Sequence, residues 1–151
     1  MRSGDFQLCR VSTADELAAA QDIRRRVFVE EQQIPAELEY DGADPDSIHV
    51  LATRQGEAVA TARLTPAADG TAVMARVAVR VDCRGSGLGR RVVETLEAYG
   101  RDAGITRIEL HPHAYLEAFY ADLGYRRVPG GEHTVGTHQL ITMAKTLAAG
   151  D

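Results

Sequence analysis

The segment Arg84-Gly85-Ser86-Gly87-Leu88-Gly89 carries the clearest chemistry in the sequence. Its glycines let the backbone take positive φ and gather several N–H groups with no side chain between them. A helical stripe begins at about Leu88, so the unpaired amides and the positive dipole end of a helix point at the same place. Arg84 and Arg90 add charge at the rim. Such a surface suits an anion, and a diphosphate has the right size. Two commoner phosphate motifs do not fit. No Gly-Lys-Ser/Thr ending is present, so there is neither a lysine for a γ-phosphate nor a hydroxyl for magnesium. A dinucleotide fingerprint would place a glycine where Arg90 stands and would lie early in a βαβ unit.

The surrounding pattern predicts how that loop is held. Thr13-Ala14-Asp15-Glu16 reads as a capping box, and Leu17, Ala20, Ile23 and Val27 continue it at helical spacing, with Arg24 and Arg25 outside. Pro35 to Pro45 reads as a loop with a short helical turn. Ser47–Thr53, Glu57–Leu64 and Thr71–Arg80 read as antiparallel strands separated by the turn signals Gln55-Gly56 and Asp69-Gly70. Leu88, Val92, Leu96, Tyr99 and Ala103 then form a helix that stops at Gly104. A strand at Ile108 and Leu110, a short helix over Leu116, Phe119, Tyr120 and Leu123, and a final strand from His138 to Leu147 complete the order. The glycine loop thus joins a strand to a helix. The fold class expected is mixed α/β (α+β), with a mostly antiparallel sheet of about six to seven strands and about four helices.

At 151 residues the chain is expected to form a single domain, 1–151. Its formal charge of -5 disfavours a nucleic-acid partner. No apolar run is long enough for a membrane span, and Met1 to Asp5 leads into no signal-peptide core. Cys9 and Cys83 show neither a disulfide framework nor zinc spacing, so no metal is expected and a reducing cytoplasm is the expected location.

Arg84, Gly87 and Gly89 meet the pattern Arg/Gln-x-x-Gly-x-Gly/Ala, and here the sequence resembles the GNAT superfamily of N-acetyltransferases. The resemblance extends to Arg76-Val77-Ala78-Val79 before the loop and to Phe119-Tyr120-Ala121-Asp122-Leu123-Gly124-Tyr125 after it. The N-terminal half, with Arg26-Val27-Phe28-Val29-Glu30-Glu31-Gln32, Glu39-x-Asp41 and His49, is similar to the ElaA-like branch. The resemblance implies acetyl-CoA as acyl donor and an amine, small or peptidic, as acceptor, in a monomer or homodimer. The strand ending near Val79 would splay from the strand at Ile108 to Leu110, and pantetheine would lie in that gap, bonded at Val77 and Val79 with Ala78 between them. The amides from Arg84 through Gly85, Ser86, Gly87, Leu88 and Gly89 to Arg90 would take the pyrophosphate. Where the family often carries Asn or Gln, this chain has His113, and no role is transferred to it.

Acylating an amine from a thioester requires a neutral nucleophile and a proton for the departing thiolate. Tyr120 matches the family's general-acid position. Glu31 and His111 are the candidates for the base, since each could be tuned toward neutrality. Glu30, Glu31, Glu39 and Asp41 form an acidic set that could attract a cationic acceptor, and His49 joins them as a candidate substrate contact. His133 and His138 carry no motif. Two readings follow: an enzyme transferring acetyl to an amine, or a non-catalytic acyl-CoA-binding or protein-interaction module of the same fold.

Overall fold

The computed structural model describes residues 5–39 and 41–147. Residues 1–4, part of the signal-peptide reading, lie outside them. Seven strands make one sheet in the order β1-β2-β3-β4-β5-β9-β6, and β7 and β8 form a separate hairpin. These are β1 (Gln7–Arg10), β2 (Ile48–Arg54), β3 (Glu57–Pro66), β4 (Thr71–Val79), β5 (Arg107–Leu110), β6 (Arg126–Arg127), β7 (His133–Val135), β8 (His138–Leu140) and β9 (Met143–Thr146). Four α-helices accompany them: α1 (Ala14–Arg24), α2 (Ala36–Glu39), α3 (Leu88–Asp102) and α4 (Glu117–Asp122). Every pairing is antiparallel except β4 with β5, which is the mixed, mostly antiparallel sheet expected.

Strand alternation divides the core between the two faces of the sheet. On one face, Ile48, Val50 and Ala52 of β2 and Ala60, Ala62 and Leu64 of β3 pack against Leu88, Val92, Val93 and Leu96 of α3. On the other, Ile23 and Val27 pack against Ala78 of β4. The approach of α3 is close: a Cβ at Gly100 would stand 2.9 Å from Leu64 Cδ2, so glycine sets the helix-to-sheet distance there.

Helix α1 starts as the sequence predicts. Thr13 accepts from the Glu16 amide at 3.1 Å, and Glu16 accepts from the Thr13 amide at 3.1 Å. Its far end departs from expectation in two ways. The helix widens over Arg25–Glu31 into π-helical turns, with the Gln32 amide donating to the Val27 carbonyl five residues back. Arg24, expected outside, is fully buried. Its guanidinium meets Glu39 at 2.6 Å and Asp44 at 2.8 Å. A buried charge needs such partners, and the acids come from the Pro35–Pro45 loop, which folds back over the same face of the sheet.

The final strand expected from His138 to Leu147 is two strands. Ile141 and Thr142 lie between them, with the Ile141 amide donating to Pro112 O and the Val128 amide to Thr142 O. This break lets β9 join the main sheet while β8 turns away to pair with β7. Strand β1 gave no sequence signal.

Candidate active site

Strands β4 and β5 run in parallel for only four pairs, from Thr71 with Arg107 to Met74 with Leu110. β4 continues to Val79, whereas β5 ends at Leu110, so the β5-facing edge of β4 from Ala75 onward is left open. A β-bulge sharpens the divergence. Thr61 pairs with Ala78 and Arg63 with Ala75, which sets Arg76 and Val77 against the single residue Ala62. Arg76 has φ 57°, a left-handed conformation unusual for a side-chain-bearing residue. Its guanidinium donates to the carbonyls of Leu38 at 3.1 Å and Glu39 at 3.2 Å, which holds the bulge against the α2 loop.

The glycine loop lies where β4 hands over to α3. Gly85 and Gly87 have φ of 81° and 83°, and a Cβ at either would meet nothing within 4 Å. Space beside both glycines is therefore open. Gly87 caps α3 without a side chain, leaving the first-turn N–H groups for a ligand. These features fit a pyrophosphate held mainly by backbone. The side chains expected to help are otherwise engaged. Arg84 turns back to Glu31 at 2.6 Å and to Val79 O at 2.9 Å. Arg90 meets Asp122 at 2.8 Å. Ser86 donates to Cys83 O at 2.6 Å. Leu88 is buried in the core, and Ala78 faces the α1 side of the sheet. Val77 and Val79 remain half-buried along the open edge.

Beside that edge is a cavity of about 420 Å³ with mainly apolar walls. Phe28 of the π-helical turns and Gln32 just after them line one side, Val77 and Arg76 of the bulge a second, and His111, His113, Tyr120 and His138 a third. Tyr120 is 5% exposed. Burial pushes its phenol pKa up, so it is protonated at neutral pH. The ring packs edge-on between Phe119 and Tyr125.

The candidate residues divide sharply by position. Glu31 does not line the cavity, and its carboxylate is paired with Arg84. Glu30 is exposed and bonded to Arg25. Glu39 and Asp41 do line the cavity, but Glu39 Oε1 meets Arg24 and Arg76, and Asp41 meets Arg63 at 2.8 Å. The hydrogen bond from Arg63 is the main reason that the Asp41 carboxyl sits well below the usual carboxylate range. The acidic set is thus met by arginines rather than left free for a cationic acceptor. His49 is buried on the α1 face, with Nε2 3.0 Å from Asp44 O, and burial is the main cause of its lowered pKa. His111 does reach the cavity, but Thr142 donates its own hydroxyl to Gly131 O and so accepts from His111 Nδ1 at 3.1 Å. Its other nitrogen faces Glu109 at 3.5 Å.

Sequence reasoning missed His113 and His138, whose nitrogens Nε2 and Nδ1 lie 3.0 Å apart at the cavity wall. A single bridge, His113 with Leu140, fastens β8 beside the end of β5 and creates this contact. No local motif encodes it.

An open edge on β4, a glycine cradle at the head of α3 and a buried phenol beside them define an acyl-CoA-dependent transferase. The chain belongs to the Acetyltransferase (GNAT) family, whose profile matches residues 17–125. A Bacillus subtilis protein named "Putative acetyltransferase" is 35% identical over 120 residues, covering 78% of this chain and 81% of its own. An acyl-CoA N-acyltransferase of Pseudomonas aeruginosa superposes with a TM-score of 0.82 at 31% identity, covering 93% of this chain and 99% of its own. Escherichia coli ElaA does so with a TM-score of 0.81 at 28% identity and the same coverage. The chain is an N-acetyltransferase, with an acyl-CoA as donor and an amine as acceptor.

Proposed function

We propose that the chain, acting as a single domain, transfers an acetyl group directly from acetyl-CoA to a primary amine in a ternary complex, with Tyr120 protonating the departing thiolate. The observation that carries this reading is the place of Tyr120. Its ring lines the cavity beside the open edge of β4, and among the described residues its hydroxyl makes no hydrogen bond, so its proton is free for a substrate atom. The backbone of Val77 and Val79 holds pantetheine, and the amides of residues 84–90 hold the pyrophosphate. The mainly apolar walls exclude water, which favours attack by an amine over hydrolysis.

Because the carboxylates near the cavity are paired with arginines, amine selection rests on nucleophilicity and fit rather than on a net negative field. Cys9 and Cys83 are free thiols, which suits a reducing cytoplasm. Among the described residues no helix is long and apolar enough to cross a membrane.

The test is thiol release from acetyl-CoA across a panel of primary amines and alcohols, with products identified by mass. An acetylated amine, with no transfer to alcohols, is the expected result. Cofactor binding with no product from any amine in the panel or in a cell extract would make the chain an acyl-CoA-binding module instead.

A further inference from the structure

Amines are protonated at neutral pH, so a base must act before attack, and of the two candidates from sequence only His111 lines the cavity. Glu31 is paired with Arg84 outside the cavity, and His111, whose Nδ1 donates to Thr142, turns its Nε2 lone pair toward the Glu109 carboxylate. The cavity wall holds another proton acceptor. His113 and His138 share one hydrogen bond, Nε2 to Nδ1, at 3.0 Å, with the rings at 71°. Among the described residues, no hydrogen bond engages the outer nitrogens, His113 Nδ1 and His138 Nε2.

Proton counting shows what such a pair offers. Two neutral imidazoles carry two N–H protons, one of which lies in the shared bond. If His113 donates, His113 Nδ1 is the free lone pair and His138 Nε2 carries the second proton. If His138 donates, those roles exchange. In either tautomer the pair presents one vacant acceptor and one donor at its two ends. Burial first, and then the neighbouring His138, lower the His113 pKa and favour its neutral state. The neighbours do not reverse this. Tyr115 stacks on the His113 ring, His111 and Tyr120 share the cavity, and the carboxylates across it, Glu39 and Asp41, are each paired with arginine.

We infer that the His113–His138 pair is the general base that deprotonates the acceptor ammonium. This rests on the acetyl-transfer reading above. The vacant imidazole nitrogen takes one proton from R–NH3+. The neutral amine attacks the thioester carbonyl, the C–N bond forms, and the C–S bond breaks with its electron pair leaving on sulfur. Tyr120 protonates that sulfur and regains a proton from the surplus N–H of the new amide nitrogen. The proton held by the pair then passes to solvent, so the balance is one amide, one thiol and one released proton.

The test uses His113→Gln, His138→Gln and the double variant, with acetyl-CoA and n-butylamine as the probe acceptor. At pH 7 each single variant should lose about a hundredfold in kcat/KM, the low end for general-base catalysis. The double variant should lose little more, because the two rings act as a unit. The deficit should narrow as pH rises toward the amine's own pKa near 10, where bulk water removes the proton. CoA-induced thermal stabilisation should be unchanged in all three variants. That stabilisation and the parent's turnover report on the acetyl-transfer reading, whereas the variant-to-parent ratio and its pH dependence report on the pair alone. Full activity in the variants, or a deficit equal at every pH, would overturn the inference. Independently of the variants, nitrogen-15 NMR of the parent should show the His113 imidazole taking up its proton below the ordinary histidine range. A His113 ring that titrates at the ordinary value would also overturn it.

Discussion

Glu39→Gln should destabilise the protein by about 3 kcal/mol, although the substitution keeps the shape of the side chain. Arg24 and Glu39 are each essentially inaccessible, at 2.6 Å. Removing one partner of a buried pair leaves the other charge without compensation, at a typical cost of about 3–5 kcal/mol. Arg24 keeps Asp44 at 2.8 Å, so the lower end applies. A loss of that size lowers Tm by roughly 10 °C for a chain of this length. The double variant Arg24→Met/Glu39→Gln should recover much of the loss, since no unpaired charge is then buried. A Tm change under about 2 °C in the single variant would mean that the pair contributes no more than a surface ion pair does.

The same network sets an acid limit. Burial raises the Asp44 pKa, but hydrogen bonds from Arg24 and Gln21 lower it further, to about 2 from an ordinary 3.8. A depressed carboxylate stabilises the fold above its unfolded pKa and loses that contribution as pH falls through the folded one. Stability should therefore decline between about pH 4 and pH 2, with Asp41 shifted in the same direction.

Tyr120→Phe should fold, bind acetyl-CoA about as well as the parent and turn over about a hundredfold more slowly. The ring that packs against Phe119 and Tyr125 is retained, and the lost hydroxyl has no hydrogen-bond partner among the described residues. Proton donation by a positioned side chain contributes about a hundredfold to ten-thousandfold. Two facts place Tyr120 at the lower end. Burial raises the phenol pKa, so transfer to a thiolate is not downhill on proton affinity alone, and a thiolate already leaves readily. The loss belongs in kcat rather than in cofactor affinity, because the interaction strengthens only as charge develops on sulfur. Steady-state kinetics beside calorimetric titration of acetyl-CoA separates the two. Unchanged kcat, with chemistry shown to limit the rate, would assign Tyr120 to packing.

What the sequence revealed was local, and what it hid depends on distant segments meeting. The capping box at Thr13 and the positive-φ glycines at 85 and 87 are set by neighbours within a few residues, so spacing alone exposes them. Arg24 reads as an outer residue of α1 because its partners, Glu39 and Asp44, arrive from a loop with no periodic pattern. The acids of that loop looked available for the same reason: composition shows charge but not pairing. The π-helical widening over Arg25–Glu31 leaves no mark on a helical apolar stripe, yet it is what brings Phe28 and Gln32 to the cavity. His138 is the extreme case. Its meeting with His113 depends on the break at Ile141 and Thr142 and on one bridge to Leu140, and neither has a sequence signature.

The site itself is tested most directly by amide hydrogen–deuterium exchange, resolved by residue, with and without CoA. Backbone groups that hold the cofactor become hydrogen-bonded and exchange more slowly, so protection should appear at residues 85–90 and at Val77 and Val79. It should vanish in Gly87→Glu, where a carboxylate enters the cradle and a side chain is forced onto a left-handed backbone of φ 83°. CoA-dependent protection that leaves those residues unchanged, or that persists in Gly87→Glu, would contradict this placement of the donor and of the chemistry built on it.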